Sequence, residues 1–403
     1  MAVVRLERDA AGIAWVIFAK PTDVLVPLAG ILDALTKQPP TGVIFTGILP
    51  GDIPLGELEN LRESAAGMAY AQAGQELFAK IERLSMPTVA AIDGACLGTG
   101  CELALACRTR IATDDPATQI GLPATQIGGL PGWGGTQRLP ALIGLRAALE
   151  IIVPGKSLTA ASALQVGLVD AVVPVSALRA AAVKALTFER RLQRRNWPPG
   201  FLVQTLYRRR TVAETHGFYP AQLKAIEVTG AGYLAEARAF GDLVASPVCQ
   251  NLIRVERLRK KFKTETSDLV VQRILIPYLQ AAVGLLEDGI DLAYIDNAMV
   301  LFGWPVGPLR WLDALGPVWQ GPRGFYTVTG LRAEPKPQFK GRALDPLAIQ
   351  ERLMEVMVAR AKELLQARLV ASEDELDFIM IEGLGFPPFR GGLVKWARDT
   401  GVW

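Results

Sequence analysis

Two stretches in the C-terminal half of this chain repeat each other. The first, ILIPYLQAAVGLLEDGIDLAYIDNAMVLFGWPVGPLRWLDALG, covers residues 274–316, and the second, RLMEVMVARAKELLQARLVASEDELDFIMIEGLGFPPFRGGLVKWARDTG, covers 352–401. Each copy reads as a helix, a short turn, a second helix around Asp296 or Asp377, a Gly-aromatic-Pro turn and a last helix bearing Trp311 or Trp396. A single such unit cannot bury its apolar face alone, so the pair implies an all-α domain built by duplication. Trp311, Trp396 and the nearby Trp304 read as core. Between the copies, GPRGFYTVTGLRAEPKPQFKGRALDP is rich in Pro and Gly and reads as a linker centred on 334–346.

The first half obeys a different period. GIAWVIF (12–18), TGVIFTG (41–47) and PTVAAIDGA (87–95) are short, β-rich apolar runs and predict strands. Residues 61–84 place apolar side chains at helical spacing and stop before Pro87, while ATQIGLP and GLVDAVVP read as short strands or edges. Strands alternating with helices predict an α/β domain over 1–187. From about 188 the composition turns basic in ERRLQRRN and YRRR, no strand pattern follows, and 221–263 keep a helical period. The polar run KTETSD (263–268) marks a junction. The expected organisation is therefore an α/β domain over 1–187, a helical linker over 188–268, and helical repeats over 269–333 and 334–403.

Composition removes several functional classes. A chain of 403 residues, half of them hydrophobic, buries sizeable cores and is not disordered. Lys plus Arg number 43 against 40 Asp plus Glu, too even a balance to call for nucleic acid or a membrane surface. There is one histidine, His216, so a His-rich metal site is impossible and at most one His-dependent triad could be built. His216 itself reads as a surface residue before a turn. Cys96, Cys101, Cys107 and Cys249 show no CxxC spacing and read as buried thiols, so neither zinc nor a disulfide framework is expected. MAVVRLERDA lacks the apolar run of a signal peptide, and no 18-residue apolar run is free of charges or Gly/Pro clusters. A cytoplasmic protein without a membrane span is the expectation. The basic clusters 190–195 and 207–210 read as solvated helix faces, and FRGG (389–392) as a turn.

The chemistry concentrates in PTVAAIDGACLGTGCELALACRTRIA (87–112). A buried strand runs into a turn with Gly94, Gly98 and Gly100, and a helix starts near Thr99 or Gly100. Small residues let a ligand approach the backbone, and the free N–H groups of a helix start can hold an oxyanion. Glu102 falls in the first turn of that helix, where the dipole favours the ionised carboxylate and suits a base more than an acid. The following residues, Leu103 to Cys107, are apolar all round, and a carboxylate at the mouth of such a buried helix is costly unless it has a task or a partner.

AAIDGACLGTGCELALAC, IGLPATQIGGLPGWGGTQRLPALIG and ALQVGLVDAVVP make residues 1–187 resemble the crotonase (enoyl-CoA hydratase/isomerase) superfamily. The resemblance implies a spiral of ββα units that binds a coenzyme A thioester, with two backbone N–H groups holding the thioester oxygen as an enolate. It places one donor near Gly51, after FTGILPGDI, and the other at Thr99, where the family usually has Gly. It makes Glu102 the catalytic base. The hydratases of this family carry a second Glu directly after the Pro of IGLPATQIG, and this chain has Ala124 there. Hydration needs both a base for water and an acid for the α-carbon, so a single carboxylate weakens it.

The rest of the chain resembles multifunctional β-oxidation enzymes such as the α subunit of the bacterial fatty-acid-oxidation complex. FYPAQLKAIEVTGAGYLAEARAFGDLVASPVCQNLI (218–253) is similar to their linker, and the repeats, with FGWPVGPLRWLD and GFPPFRGG, to their 3-hydroxyacyl-CoA dehydrogenase C-terminal domains. Their Rossmann domain is missing here. GTGCEL (98–103), GAGYLA (230–235) and GLGFPP (383–388) all fail the G-x-G-x-x-G fingerprint at its sixth position, so neither NAD binding nor dehydrogenase activity is expected. The expected function is that of an acyl-CoA enzyme, a 2-enoyl-CoA hydratase-like lyase in which Glu102 is the base. It has no cofactor or metal, and coenzyme A enters only as part of the substrate. The alternatives are isomerisation, thioester hydrolysis or decarboxylation, or a catalytically impaired acyl-CoA-binding scaffold. A thiolase partner or self-association is compatible with the resemblance.

Overall fold

Period-two alternation builds the first half around one sheet. The strands are β1 (Val4–Arg8), β2 (Ile13–Phe18), β3 (Gly42–Gly47), β4 (Thr88–Ile92), β6 (Thr109–Thr113) and β9 (Ala171–Val173), hydrogen-bonded in the order β1-β2-β3-β4-β6-β9. β1 and β2 are antiparallel and the remaining pairs are parallel. Ala14, Val16, Phe18, Val43, Phe45, Ala90 and Ile92 enter the main core on one face, while Ile13, Trp15, Ile44, Val89, Ala91 and Ile111 pack on the other. Both faces are buried, which is why these strands read as nearly continuous apolar runs.

The structure, a computed structural model, describes residues 4–19, 25–49, 51, 55–189, 200–262, 268–315, 324–329 and 332–403. Helices α1 (Leu25–Lys37), α2 (Leu55–Asn60) and α3 (Ser64–Glu82) precede β4; α3 is the helix that the spacing over 61–84 predicts. β5 (Cys96–Leu97), β7 (Gln119–Gly121) and β8 (Ser157–Thr159) form a second, three-stranded sheet. Around it lie α4 (Thr99–Ala106), α5 (Gly135–Ile143), α6 (Leu145–Ile152) and α7 (Ala160–Val166). α8 (Leu178–Ala185) covers the second face of the large sheet through Leu178, Ala182 and Ala185.

Helices follow: α9 (Gly200–Thr215), α10 (Pro220–Val228), α11 (Tyr233–Val244) and α12 (Pro247–Lys261). The chain divides into two compact units, Met1–Ile253 and Arg254–Trp403. α9, α10 and α11, expected as a linker, therefore belong to the N-terminal unit, and α11 packs along α3. His216 is exposed at the end of α9 with φ of 50°, and Arg208, Arg209 and Arg210 are solvated, while the cluster 190–195 lies outside the described residues. All four cysteines are buried free thiols.

The C-terminal unit contains α13 (Asp268–Glu287), α14 (Leu292–Phe302), α15 (Pro308–Leu315), α16 (Pro346–Gln366), α17 (Glu373–Leu384) and α18 (Leu393–Asp399). Three helices per copy give the duplicated all-α architecture. Trp304 of the first copy meets Phe386 of the second edge-on at 5.7 Å between ring centres. Trp304 is core, whereas Trp311 and Trp396 are half-buried and pack against it, because each sits at the rim of a short third helix. The stretch read as a linker contains an antiparallel hairpin instead, β10 (Tyr326–Thr329) with β11 (Arg332–Pro335). By length and composition α13 could cross a membrane, with a mean hydropathy of 1.6, although no span is expected from the sequence. Ile274, Tyr278, Leu279 and Ala282 of α13 are buried in the core of its unit.

Candidate active site

β4 delivers the chain to the site at the C-terminal end of a parallel strand, the usual place for ligands in such sheets. After it, Gly94 takes a φ of 84° and Gly98 a φ of 51°, and α4 begins at Thr99. All eight residues of α4 are buried. The N–H groups of its first turn, that of Thr99 among them, have no acceptor within the helix. Gly51, the other expected donor, is half-buried, and residues 50 and 52–54 beside it lie outside the described residues.

Glu102 is 2 % exposed. One of its oxygens, Oε1, accepts hydrogen bonds from the N–H groups of Trp133 and Gly135, both at 2.8 Å. Gly135 is needed for this approach, since a Cβ there would lie 2.9 Å from that oxygen. Glu102 borders a cavity shared with Gly98, Thr99 and Ala124, so three of the residues singled out in the sequence do meet. Ala124, the second residue of the five-residue 3-10 turn Pro123–Ile127, lines the cavity and carries no polar side-chain group. Phe240 and Val244 of α11 and Leu58 of α2 also line it. The space left for the centre of a water molecule is ≈ 20 Å³, about one water's worth.

A second carboxylate lies next to this site, and the sequence reading missed it. Glu236, in the first turn of α11, is fully buried. Its Oε1 accepts from the N–H of Gly134 at 2.6 Å and from Gln75 Nε2 at 2.9 Å, and its Oε2 from the N–H of Thr136 at 3.0 Å and from Thr136 Oγ1 at 2.5 Å. The turn entering α5 thus deals its N–H groups alternately: those of 133 and 135 to Glu102, those of 134 and 136 to Glu236. The signal available in the sequence was an acid inside the apolar run YLAEARAF, a pattern as costly as that around Glu102.

The electrostatics correct one expectation. The helix start was expected to keep Glu102 ionised. Burial, and after it the charge of Glu236, instead push its carboxyl up to about 8, against the pull of the Gly135 and Trp133 N–H groups and of Arg138. Burial likewise raises Glu236, opposed by Thr136, Gln75 and Gly134. Arg138 is held by Glu82 at 3.0 Å and by the Trp133 carbonyl at 2.6 Å. Loss of solvation costs a carboxylate more than two N–H dipoles return when a second acid faces it.

Residues 32–192 match the family model described as enoyl-CoA hydratase/isomerase. This match lies within the N-terminal unit and covers most of it. Residues 269–322 match the C-terminal domain of 3-hydroxyacyl-CoA dehydrogenase, which covers the first helical copy. The two matches in this order are consistent with a fatty-acid-oxidation multifunctional enzyme that lacks the Rossmann domain. Among solved structures, human mitochondrial delta3-delta2-enoyl-CoA isomerase is 28% identical, over 64% of this chain and 99% of its own, with a TM-score of 0.47. The enoyl-CoA hydratase of Bacillus anthracis is 26% identical over 56% of this chain and 90% of its own, TM-score 0.42. DspI of Pseudomonas aeruginosa is 26% identical over 53% and 82%, TM-score 0.42.

Proposed function

We propose that the crotonase domain moves a proton next to the thioester of an enoyl-CoA, with Glu102 as the one carboxylate among the described residues that border the cavity. The observation that carries this reading is that Glu102 and Ala124 line the same cavity, so the position where the hydratases carry a second Glu offers no carboxylate there. Hydration divides its work between two acids, whereas shifting a double bond between the 3- and 2-positions needs one group to take a proton and return it two carbons away. A carboxyl raised to about 8 is a far better base toward a weakly acidic C–H than an ordinary glutamate, and still releases the proton near neutral pH. The Thr99 N–H, with that of Gly51, would hold the negative charge on the thioester oxygen. Double-bond isomerisation is thus favoured over 2-enoyl-CoA hydration, and neither dehydrogenase activity nor a cofactor belongs to the reading.

A second reading has its own support. A cavity that leaves only ≈ 20 Å³ for the centre of a water molecule is what an acyl-CoA-binding scaffold with a narrowed pocket would present. The deciding experiment mixes purified protein with 3-hexenoyl-CoA and with crotonyl-CoA, and follows both relocation of the double bond and hydration. Relocation outrunning hydration, and lost in Glu102→Gln, supports the proposal. Binding without either reaction supports the scaffold, and absence of CoA-thioester binding removes both. Ala124→Glu is expected to raise hydration of crotonyl-CoA, by up to the ~10²- to 10⁴-fold that a positioned acid contributes.

A further inference from the structure

We propose that Glu236 is a positioning residue for Glu102, acting through the single turn that both carboxylates grip. The inference rests on the reading of Glu102 as the proton carrier, but the geometry that carries it is independent of any substrate. Four consecutive N–H groups, from Trp133 to Thr136, point alternately to Glu102 and to Glu236. Neither acid can shift without turning peptide planes that the other holds. The two anchors are unequal. Glu236 has four donors spread over both oxygens, and Glu102 has two on a single oxygen. The better-solvated carboxylate is the one that keeps a negative charge in a buried pair, and it leaves its neighbour holding a proton.

Mere docking of α11 does not require this arrangement. Phe240, Leu243 and Val244 already bury that helix in an apolar cluster, and Gln75 bonds the Tyr233 carbonyl at 3.0 Å besides reaching Glu236. Docking alone asks for no charge at position 236, although an amide there would turn its NH2 toward the N–H of Gly134 or of Thr136. A charge there, facing a second acid, is disfavoured on stability grounds alone.

The groups facing the pair are few. Glu102 meets Glu236 from α11, Arg138 from α5 and the Cys101 thiol of its own helix. Glu236 meets Gln75 of α3 and Thr136 of α5, and Tyr233 of its own helix senses its charge. Arg138 is drawn off by Glu82 of α3. Removing the charge of Glu236 therefore leaves Glu102 facing Arg138 and the turn's N–H groups, and its proton must be held less tightly.

The test needs no substrate. Full-length protein is labelled with ¹³C at glutamate carboxyls, and the Glu102 resonance is identified by its disappearance in Glu102→Gln. In wild type its titration midpoint should lie well above the ordinary carboxylate range. Glu236→Gln should lower it by about one pH unit or more, a tenfold weaker hold on the proton. Glu236→Asp, which restores the charge, should bring it back toward wild type. Thr136→Val removes one donor from Glu236 and should lower the midpoint by a smaller amount, about two- to threefold in proton affinity, which keeps the test open should Glu236→Gln not fold. A midpoint that stays put in folded Glu236→Gln, or in Thr136→Val, overturns the proposal, as does an ordinary midpoint in wild type. These outcomes are separate from those of the isomerase reading: an inactive protein with the expected titrations refutes that reading and leaves the role of Glu236 in place.

Discussion

Both units bury carboxylates against the N-terminus of a following helix, and they do it in opposite ways. In the C-terminal unit Asp296 accepts from the N–H groups of Leu309 and Arg310, one on each oxygen, and so caps α15. Asp377 repeats this on α18 with Val394 and Lys395. Gly307 and Gly392 make room, since a Cβ at either would lie 2.3 Å from the aspartate. Asp377 also has a cation, Arg254 Nη1 at 3.1 Å, which holds down a carboxyl that burial raises to about 6. In the N-terminal unit Glu102 receives both N–H groups on one oxygen, borders a cavity, and faces an acid, while the cation that acts on it, Arg138, is paired with Glu82. A carboxylate with both oxygens bonded and a cation beside it locks two helices together. One left half-bonded beside a like charge keeps an affinity for protons that chemistry can use.

The largest expected effect breaks the functional half of this contrast. Glu102→Gln should cut isotope exchange from D₂O into an enoyl-CoA by ~10²- to 10⁴-fold. It should also stabilise the fold, and the sign follows from linkage. The Glu102 carboxyl lies higher in the folded state, about 8, than in the unfolded chain, so the folded state binds more protons between those values and stability drains away as pH rises through them. Gln has no such dependence. Urea melts should show a gain of roughly 1–3 kcal/mol at pH 7 to 8 that vanishes near pH 4.

Asp377→Ala should do the reverse and destabilise, by about 2 kcal/mol, some thirtyfold in the folding constant, because it takes from Arg254 one of its two carboxylates and leaves the start of α18 uncapped. Urea denaturation at pH 7 checks this, and a loss under 1 kcal/mol would erase the structural half of the contrast. The gentlest test is the pH profile of exchange by wild type. With the ionised Glu102 as base, the rate should climb about tenfold per pH unit below pH 8 and level off above it. A profile already flat from pH 6 would mean that Glu102 carries an ordinary carboxyl.

Much of this was legible in the order of residues. The strands around GIAWVIF, TGVIFTG and PTVAAIDGA, the long helix before Pro87 and the duplicated helical units all follow from local period and breakers. The helix start at Thr99 and the burial of Glu102 were readable from its apolar neighbours, and the loss of a second acid at Ala124 from a single position in a motif. The hairpin between the repeats was not, since its pairing sits among Pro and Gly that normally signal loops.

Tertiary structure decided the rest. Glu236 stands 134 residues after Glu102, and no local pattern tells that α11 folds back along α3 to bring the two acids to one turn. The proton affinity of Glu102 was misjudged for the same reason. A helix dipole can be read from a sequence because it depends on a few neighbouring residues, but desolvation and a distant charge depend on what else surrounds the group once the chain has folded. The sequence by itself determined which residues were available for chemistry and which elements carry them. Packing alone determined which of them meet and how far each is taken out of water.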